Sequence, residues 1–339
     1  MRTDRPATPT TTTTATTPAP RQGRRRLPSV DVVVAVRADP GQARTAVASV
    51  LAQDYAGRIR CLVVHDRDHR PGGGPGDPGG LDGLGGLEGL DGRAPGRSVE
   101  VLANTRSPGS AGARNTGILA GGGDLVAFCD QADVWFEDKV TRQVAVLERT
   151  GAAASVTGVV VDHRDHRTTR IPRPDELTVH RLARRPTAAG HVPTVMVRRS
   201  RLLDDIGLLD EELPGGYAED YDWLLRAATV DRFAVVEMGL VLARPRPLGP
   251  QWPAAVAAID RLIAKHAAFA EDPRALGRLH GQRAVALAAS GQHGALVAAA
   301  RALRTWPWDP SGYVAGAVAL HLLSVDAVVE RADRRGRVG

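Results

Sequence analysis

The sequence predicts an α/β fold in which a mostly parallel sheet is flanked by helices and followed by an all-helical C-terminal region. Three observations predict it. From Val30 onward, short runs of β-branched and apolar residues alternate with segments of helical spacing. The first run, Val30–Val36 (VDVVVAV), lacks the in–out alternation of a half-exposed strand, as expected of one covered on both faces. From about Pro253 the chain turns Ala- and Leu-rich with helical spacing and no strand signal, which predicts a packed helical appendage up to about Val329.

Taken in order, the strand at Val30–Val36 leads into Asp39-Pro40-Gly41-Gln42, a helix start with Asp39 as N-cap, Pro40 at the first helical position and Gln42 three residues after the cap. Ala43, Val47, Val50 and Leu51 give that helix one apolar face. A second strand, Ile59–His65, completes a β-α-β unit, which implies parallel strands and a right-handed crossover. Residues 71–98 hold 12 of the 37 glycines with no helical period. No strand leads directly into this stretch and no helix leads out, so it reads as a flexible insertion and not as a phosphate loop. The alternation resumes with a strand at Val99–Leu102, a helix over about Pro108–Ala120, a strand at Leu125–Cys129 and a helix over about Phe136–Glu148. Strands at Ala153–Val161 and Val192–Arg198 follow, and a helix begins near Glu219.

A chain of 339 residues with 43% hydrophobic residues is long enough for one large or two medium domains with a substantial core, which excludes a wholly disordered protein. Its net charge of +6 and pI near 10.0 suggest a nucleic-acid or anionic-membrane binder. The position of the charges argues otherwise. Residues 1–27 carry six Arg and one Asp (+5), and residues 331–339 carry four Arg and one Asp (+3). Subtracting +5 and +3 from +6 leaves −2 for residues 28–330, so a nucleic-acid groove is not implied. The expected organisation is a disordered Thr/Pro/Arg-rich tail (1–27), a main domain (28–250) carrying the glycine-rich insertion, a helical region (251–330) and a basic tail (331–339). Cys61 and Cys129 lie in apolar runs and read as buried thiols of a reducing compartment. The N-terminal stretch lacks the apolar core of a signal peptide, and no run approaches the ~20 apolar residues of a membrane-spanning helix. A cytoplasmic location follows, with at most peripheral association at the inner face of the membrane.

In parallel α/β sheets, ligands bind beyond the carboxyl ends of the strands. Polar groups stand at four such ends: Arg37 and Asp39, His65 and Asp66, Asn104 to Arg106, and Asp130 with Asp133. The pair Asp130 and Asp133 suits a hard cation such as Mg²⁺ or Mn²⁺, and equally suits an Asx turn followed by a helix N-cap. In Gly215-Gly-Tyr-Ala-Glu219-Asp220-Tyr-Asp222, glycines feed a helix whose first turn is acidic. That pattern fits compensation of the helix dipole, or a general base held at the sheet edge. Asp222 and Arg226 are spaced to pair along the helix.

With these segments in order, the chain resembles the family 2 inverting glycosyltransferases of the GT-A, Rossmann-like nucleotide-sugar fold, in the versions found in actinobacteria. The resemblance runs from about Ser29 to Arg304. It rests on Val32–Val36, Ala48–Tyr55 (ASVLAQDY), Val63–Asp66 (VVHD), Ala103–Gly117 (ANTRSPGSAGARNTG), Val126–Trp135 (VAFCDQADVW), Ile206–Glu211 (IGLLDE) and the Glu219-Asp220 helix. It implies transfer of a sugar, with inversion, from a nucleoside-diphosphate donor to a glycan or lipid-linked acceptor, as in cell-envelope polysaccharide synthesis. It further implies that Asp66, Val36 and Arg37 meet the nucleotide base, that Arg114 and Asn115 lie near the diphosphate, and that Asp130 lies near ribose and a Mg²⁺ or Mn²⁺ ion. Asp220 would be the catalytic base, supported by Glu219.

Two positions depart from the family pattern. Ala132 stands where the second Asp of the Asp-x-Asp motif normally holds the metal, with Asp133 one residue later; and Arg244-Pro-Arg-Pro-Leu supplies no His after the Glu-Asp helix. A catalytically degenerate protein that keeps nucleotide or glycan binding is therefore the alternative reading. Acceptor contacts are expected from residues 162–173 and 186–193, where His191 reads as an ordinary polar residue at a strand start in preference to a pocket residue.

Overall fold

The computed structural model describes residues 26–37, 40–66, 87, 95–163, 166–185, 191–244 and 252–328. β1 (Val30–Val36), α1 (Pro40–Leu51) and β2 (Ile59–His65) form the expected unit, and Asp39 lies outside the described residues. β3 (Arg97–Ala103), α2 (Ser110–Ala120), β4 (Leu125–Asp130), β5 (Val134–Trp135) and α3 (Lys139–Thr150) follow. The next elements are β6 (Ala154–Asp162), β7 (Arg167–Arg170), α4 (Val179–Arg184), β8 (Val195–Arg198) and α5 (Arg199–Arg201), the last running into a π-turn over Leu202–Ile206. α6 (Glu219–Val230) and β9 (Ala234–Ala243) precede the helices α7 (Trp252–Lys265), α8 (Ala267–Ala270), α9 (Pro273–Ala289), α10 (Ala295–Thr305) and α11 (Pro310–Ala319).

The nine strands form one sheet in the order β3-β2-β1-β4-β8-β6-β9-β5, with β7 also on β6. The expected parallel arrangement holds for β3-β2-β1-β4, with Val30 opposite both Ile59 and Leu125. Beyond β4 the sheet is mixed: β8 is antiparallel to β4 and β6, β7 to β6 and β5 to β9, whereas β6 and β9 are parallel. Both faces are covered. Val30, Val32, Val34 and Val36 pack with α1 and α3, while Val33 points into the opposite cluster with Ile118 of α2, Trp223 of α6, and Ile259, Phe269 and Leu279 of the C-terminal helices. The helical region thus shares a core with the sheet. Asp31 interrupts the valine run at no apparent cost, because its Oδ2 accepts from the backbone N–H of Gly122 and Gly123 and from Arg199, each at 2.7 Å. A Cβ on Gly121 would stand 2.3 Å from that oxygen and one on Gly123 2.9 Å from the Asp31 carboxyl carbon, so close approach requires glycine at these two positions, whereas Gly122 faces open space.

Four boundaries differ from the sequence expectation. The helix expected from Phe136 starts at Lys139, because Val134–Trp135 pair with β9 and the Phe136 N–H donates to Leu240 O. The strand expected from Val192 starts at Val195, because Val192–Thr194, with Pro193 inside, form a 3₁₀ turn. The helix expected from Pro108 starts at Ser110, after Gly109 at φ 114°. The glycine-rich insertion expected to end at residue 98 ends earlier: Arg97 and Ser98 belong to β3, Leu87 is buried in the core, and residues 71–86 and 88–94 lie outside the described residues. β5, β7 and β9 are additional strands; β9 is broken by Glu237 and Gly239 at a register shift opposite Gly158, which hides its apolar period. Cys61 and Cys129 are buried free thiols. No helix among the described residues is long and apolar enough to cross a membrane. The expected tails lie outside the description for residues 1–25 and 329–339.

Candidate functional site

Four carboxylates meet at the carboxyl end of β4. Asp130 is the last residue of β4, and a tight turn, closed by the Asp133 N–H donating to Asp130 O at 3.0 Å, returns Asp133 to the same side. Glu219 and Asp220 come from the first turn of α6, which follows a tight segment: Gly215 and Gly216 have φ near +63°, and Ala218 takes φ 61°. A left-handed alanine costs on the order of 1 kcal/mol and is held here by its surroundings.

Arg114 of α2 ties three of these acids together. Its Nη1 donates to Glu219 at 2.8 Å and to Asp220 at 2.6 Å, and its Nη2 to Asp130 at 2.8 Å. Ser110 Oγ also bonds Glu219. His191 closes the group from the other side: its Nε2 lies 3.6 Å from Asp130 and 3.7 Å from Asp133, and its Nδ1 3.5 Å from Asp220. The side chains of Arg114, Asp130, Asp133 and Glu219 are almost wholly buried, whereas that of Asp220 is 25% exposed.

This environment drives the two acids of α6 apart. Burial raises the Glu219 carboxyl; Arg114 opposes this, Asp220 and Asp130 add to it, and the result is a group pushed up to about 7. Burial would also raise Asp220, but Arg114 and His191 outweigh it and hold the carboxyl below the ordinary range. Burial disfavours charge on His191, yet hydrogen bonding to Asp133 and Asp220 and the charge of Asp130 push it up to about 10.

The remaining sequence candidates fall into two groups. Asp66, at the end of β2, accepts from Asn104 Nδ2 at 3.1 Å and from the Gly109 N–H at 2.8 Å, with Arg37 Nε 4.0 Å away. Val36 O accepts the Asp66 N–H, and the Arg37 N–H donates to Gln131 Oε1, so these residues do share the strand-end surface with Asp130. The Arg114 guanidinium, expected near the diphosphate, is engaged by three carboxylates. Asn115 points to the 206–211 segment, bonding both Leu209 N–H and O and Glu211. Asp222 pairs with Arg226 as expected, and also with His266 at 2.8 Å and Lys265 at 2.8 Å, which clamps α6 to the helical region.

His191 overturns its expectation as an ordinary strand-start residue. It stands before the turn that leads into β8, yet its ring lies within the acidic group. No local signal shows this, because its partners are about sixty and thirty residues away in sequence; only the β4–β8 pairing brings them together. Of the second expected acceptor segment, residues 186–190 lie outside the described residues.

One ligand atom each from Asp130, Asp133 and His191 lie within 4.8 Å of one another. Two buried carboxylates and an imidazole form a donor set that fits a divalent cation, with the imidazole favouring Mn²⁺ over Mg²⁺. Beside them a cleft of about 300 Å³ is bordered by Gly41 and Gln42 at the start of α1, by Ala132 and Asp133, and by Arg244.

Residues 91–207 match the model of the glycosyl transferase family 2. Over 148 residues the chain is 22% identical to UDP-Glc:alpha-D-GlcNAc-diphosphoundecaprenol beta-1,3-glucosyltransferase WfgD of Escherichia coli, covering 44% of this chain and 55% of that protein. Over 140 residues it is 29% identical to an N-acetylglucosaminyltransferase of Bradyrhizobium elkanii, covering 41% of this chain and 70% of that one. The chain thus spans about half the length of the first relative. Among solved structures, S. aureus TarS 1–349 in complex with UDP-GlcNAc superimposes with a TM-score of 0.55 at 16% identity, over 91% of this chain and 92% of that one. At that identity the likeness is one of fold.

Proposed function

We propose that this chain, a family 2 glycosyltransferase with the GT-A fold, is an inverting transferase in which Asp220 is the general base. The observation that carries the reading is the separation of the two α6 acids: Asp220 is ionised and partly exposed, while its neighbour Glu219 is buried and raised. In the proposed step the acceptor hydroxyl gives its proton to the Asp220 carboxylate as its oxygen bonds to the anomeric carbon. The bond from that carbon to the diphosphate oxygen breaks, and the electron pair leaves with the nucleoside diphosphate. Arg114 and His191 keep Asp220 charged and oriented, and Glu219 holds Arg114 in place.

Asp130, Asp133 and His191 would hold a divalent cation, which supplies charge neutralisation for a departing diphosphate. Val36, Arg37 and Asp66 form the surface proposed for the nucleotide base, beside Asp130. A glycan or lipid-linked acceptor is supported by the relative whose name specifies a diphosphoundecaprenol-linked sugar. Such an acceptor would place the protein at the inner face of a membrane, with residues 28–250 and 251–330 acting as one unit through the shared core and the Asp222 clamp.

Ala132 favours a second reading, a degenerate protein that binds nucleotide or glycan without turnover. A panel of UDP-, dTDP- and GDP-sugars, assayed for hydrolysis and transfer with and without Mn²⁺, separates the two. Turnover with at least one donor is expected; silence across the panel without any nucleotide-induced thermal shift would reject the first reading and the nucleotide-binding form of the second, and a thermal shift without turnover would favour the second.

A further inference from the structure

A buried polar chain runs behind the site, and the proposed transfer does not use it. Lys139, Gln143, Ser155 and Thr194 are all fully buried. They come from three elements: Lys139 and Gln143 stand four residues apart on α3, Ser155 belongs to β6, and Thr194 closes the 3₁₀ turn that leads into β8. Burying four polar side chains is costly unless hydrogen bonds satisfy them.

Lys139 Nζ lies 3.7 Å from the centre of the Trp135 ring and donates to Gln143 Oε1 at 2.7 Å. That contact decides which way the amide faces, with its oxygen toward Lys139 and its Nε2 toward the sheet. Nε2 donates to Thr194 O at 3.0 Å and lies 3.2 Å from both O and Oγ of Ser155. Thr194 in turn holds the residue that carries the imidazole of the site. Its backbone N–H donates to His191 O at 2.8 Å, and its hydroxyl donates to the same oxygen at 2.7 Å.

The turn over Val192–Thr194 is therefore gripped at both ends, at Thr194 O by Gln143 and at His191 O by Thr194. The imidazole nitrogens of His191 stand 3.5 to 3.7 Å from Asp130, Asp133 and Asp220. At such separations a backbone shift of a fraction of an ångström decides whether the ring closes with the two aspartates on one ion. Partners behind a ligand that fix its orientation change metal affinity by about 10–100-fold. Gln143 acts through a backbone carbonyl, which places its effect at the lower end of that range.

We propose that Gln143, oriented by Lys139, is a positioning residue for His191: through Thr194 O it fixes the turn that aims the imidazole at Asp130 and Asp133. The claim rests on the reading of those three residues as a cation set. Mn²⁺ titrations of the full chain without nucleotide, followed by the EPR signal of the free ion, measure affinity apart from turnover. Gln143→Met keeps the length and removes the amide; it should weaken Mn²⁺ binding about tenfold and reduce the nitrogen coupling that pulsed EPR detects from a coordinated imidazole. His191→Ala should abolish that coupling, and adding Gln143→Met to it should cost less than about twofold more. Thr194→Val removes the hydroxyl bond to His191 O and should shift affinity in the same direction by a few-fold, which keeps the test open where Gln143→Met folds poorly. Unchanged affinity in both Gln143→Met and Thr194→Val, or a Gln143→Met loss that persists in full in the His191→Ala background, would overturn the proposal. A parent that binds no Mn²⁺ would refute the cation reading, and the metal-free chain then decides the positioning claim. Ring ¹⁵N shifts displaced by Gln143→Met at His191 alone among the ten histidines support it, and unchanged His191 shifts overturn it.

Discussion

Arg114→Met tests whether the acidic group is held by one guanidinium. Arg114 contacts Glu219, Asp220 and Asp130 within 2.8 Å, and its side chain is 5% exposed. Methionine matches the length and removes the charge, leaving buried carboxylates with only His191 opposite them. Loss of one partner of a buried pair costs about 3–5 kcal/mol. For about 260 described residues at ~2.1 cal/mol/K each, the unfolding entropy is about 0.55 kcal/mol/K, so the melting temperature should fall by about 5–9 °C. The pH dependence has a definite sign. In the parent, the depressed Asp220 contributes stability that is present above the ordinary carboxylate range and lost as pH falls through its lowered value. In the variant, burial without the guanidinium raises the carboxyls, so the folded state binds more protons than the unfolded one and gains as pH falls. Between pH 8 and pH 5 the Asp220 of the parent stays ionised, so the narrowing over that range comes from the raised carboxyls of the variant. Urea unfolding of parent and variant in EDTA should show about 3–5 kcal/mol at pH 8 and clearly less at pH 5; a gap below about 1 kcal/mol at pH 8, or one unchanged at pH 5, would refute the reasoning.

Two further substitutions bear on the cation set and on the core. Ala132→Asp restores a carboxylate beside the cleft; because Asp133 and His191 already complete a donor set, transfer rates with Mn²⁺ should change by less than about tenfold, and turnover confined to the variant would reassign the parent as a binding protein. Lys139 is fully buried under Trp135, hydrogen-bonded to Gln143 at 2.7 Å, and burial pushes it down to about 7. The unfolded chain then holds a proton that the folded chain releases, so stability rises with pH from about 7 toward the ordinary lysine value, and Lys139→Met should stabilise by on the order of 1–3 kcal/mol at pH 6.5, with the gain shrinking from about pH 7 and clearly smaller at about pH 9. Chemical denaturation at the two pH values checks this, and a less stable variant at pH 6.5 would contradict it.

Local sequence carries most of the fold. Val30–Val36, Ile59–His65 and Leu125–Asp130 are continuous apolar runs because both faces are covered, and so their type and near-boundaries were legible. β9 was not, since Glu237 and Gly239 at its bulge break the period and its partner β6 lies some eighty residues earlier. The acids of the site were legible because strand ends and the start of α6 are where α/β sheets place ligands. Their organisation was not. Arg114 reads as a phosphate ligand from its motif, whereas three carboxylates from β4 and α6 converge on it, and His191 reads as unremarkable because its contacts exist only once β8 lies against β4. Charge followed the same logic: a pI near 10.0 belongs to the terminal segments, and the folded site is acidic.

The central claim is that Asp220 removes the acceptor proton in an inverting transfer. The measurement is product formation by parent and Asp220→Asn with the best donor of the panel, with the anomeric configuration of the product read by proton NMR. Parent turnover with inverted configuration, and a loss of about 10²–10⁴ in kcat with nucleotide binding retained in Asp220→Asn, is the predicted result. Retained configuration, or a variant that turns over within a few-fold of the parent, would contradict it.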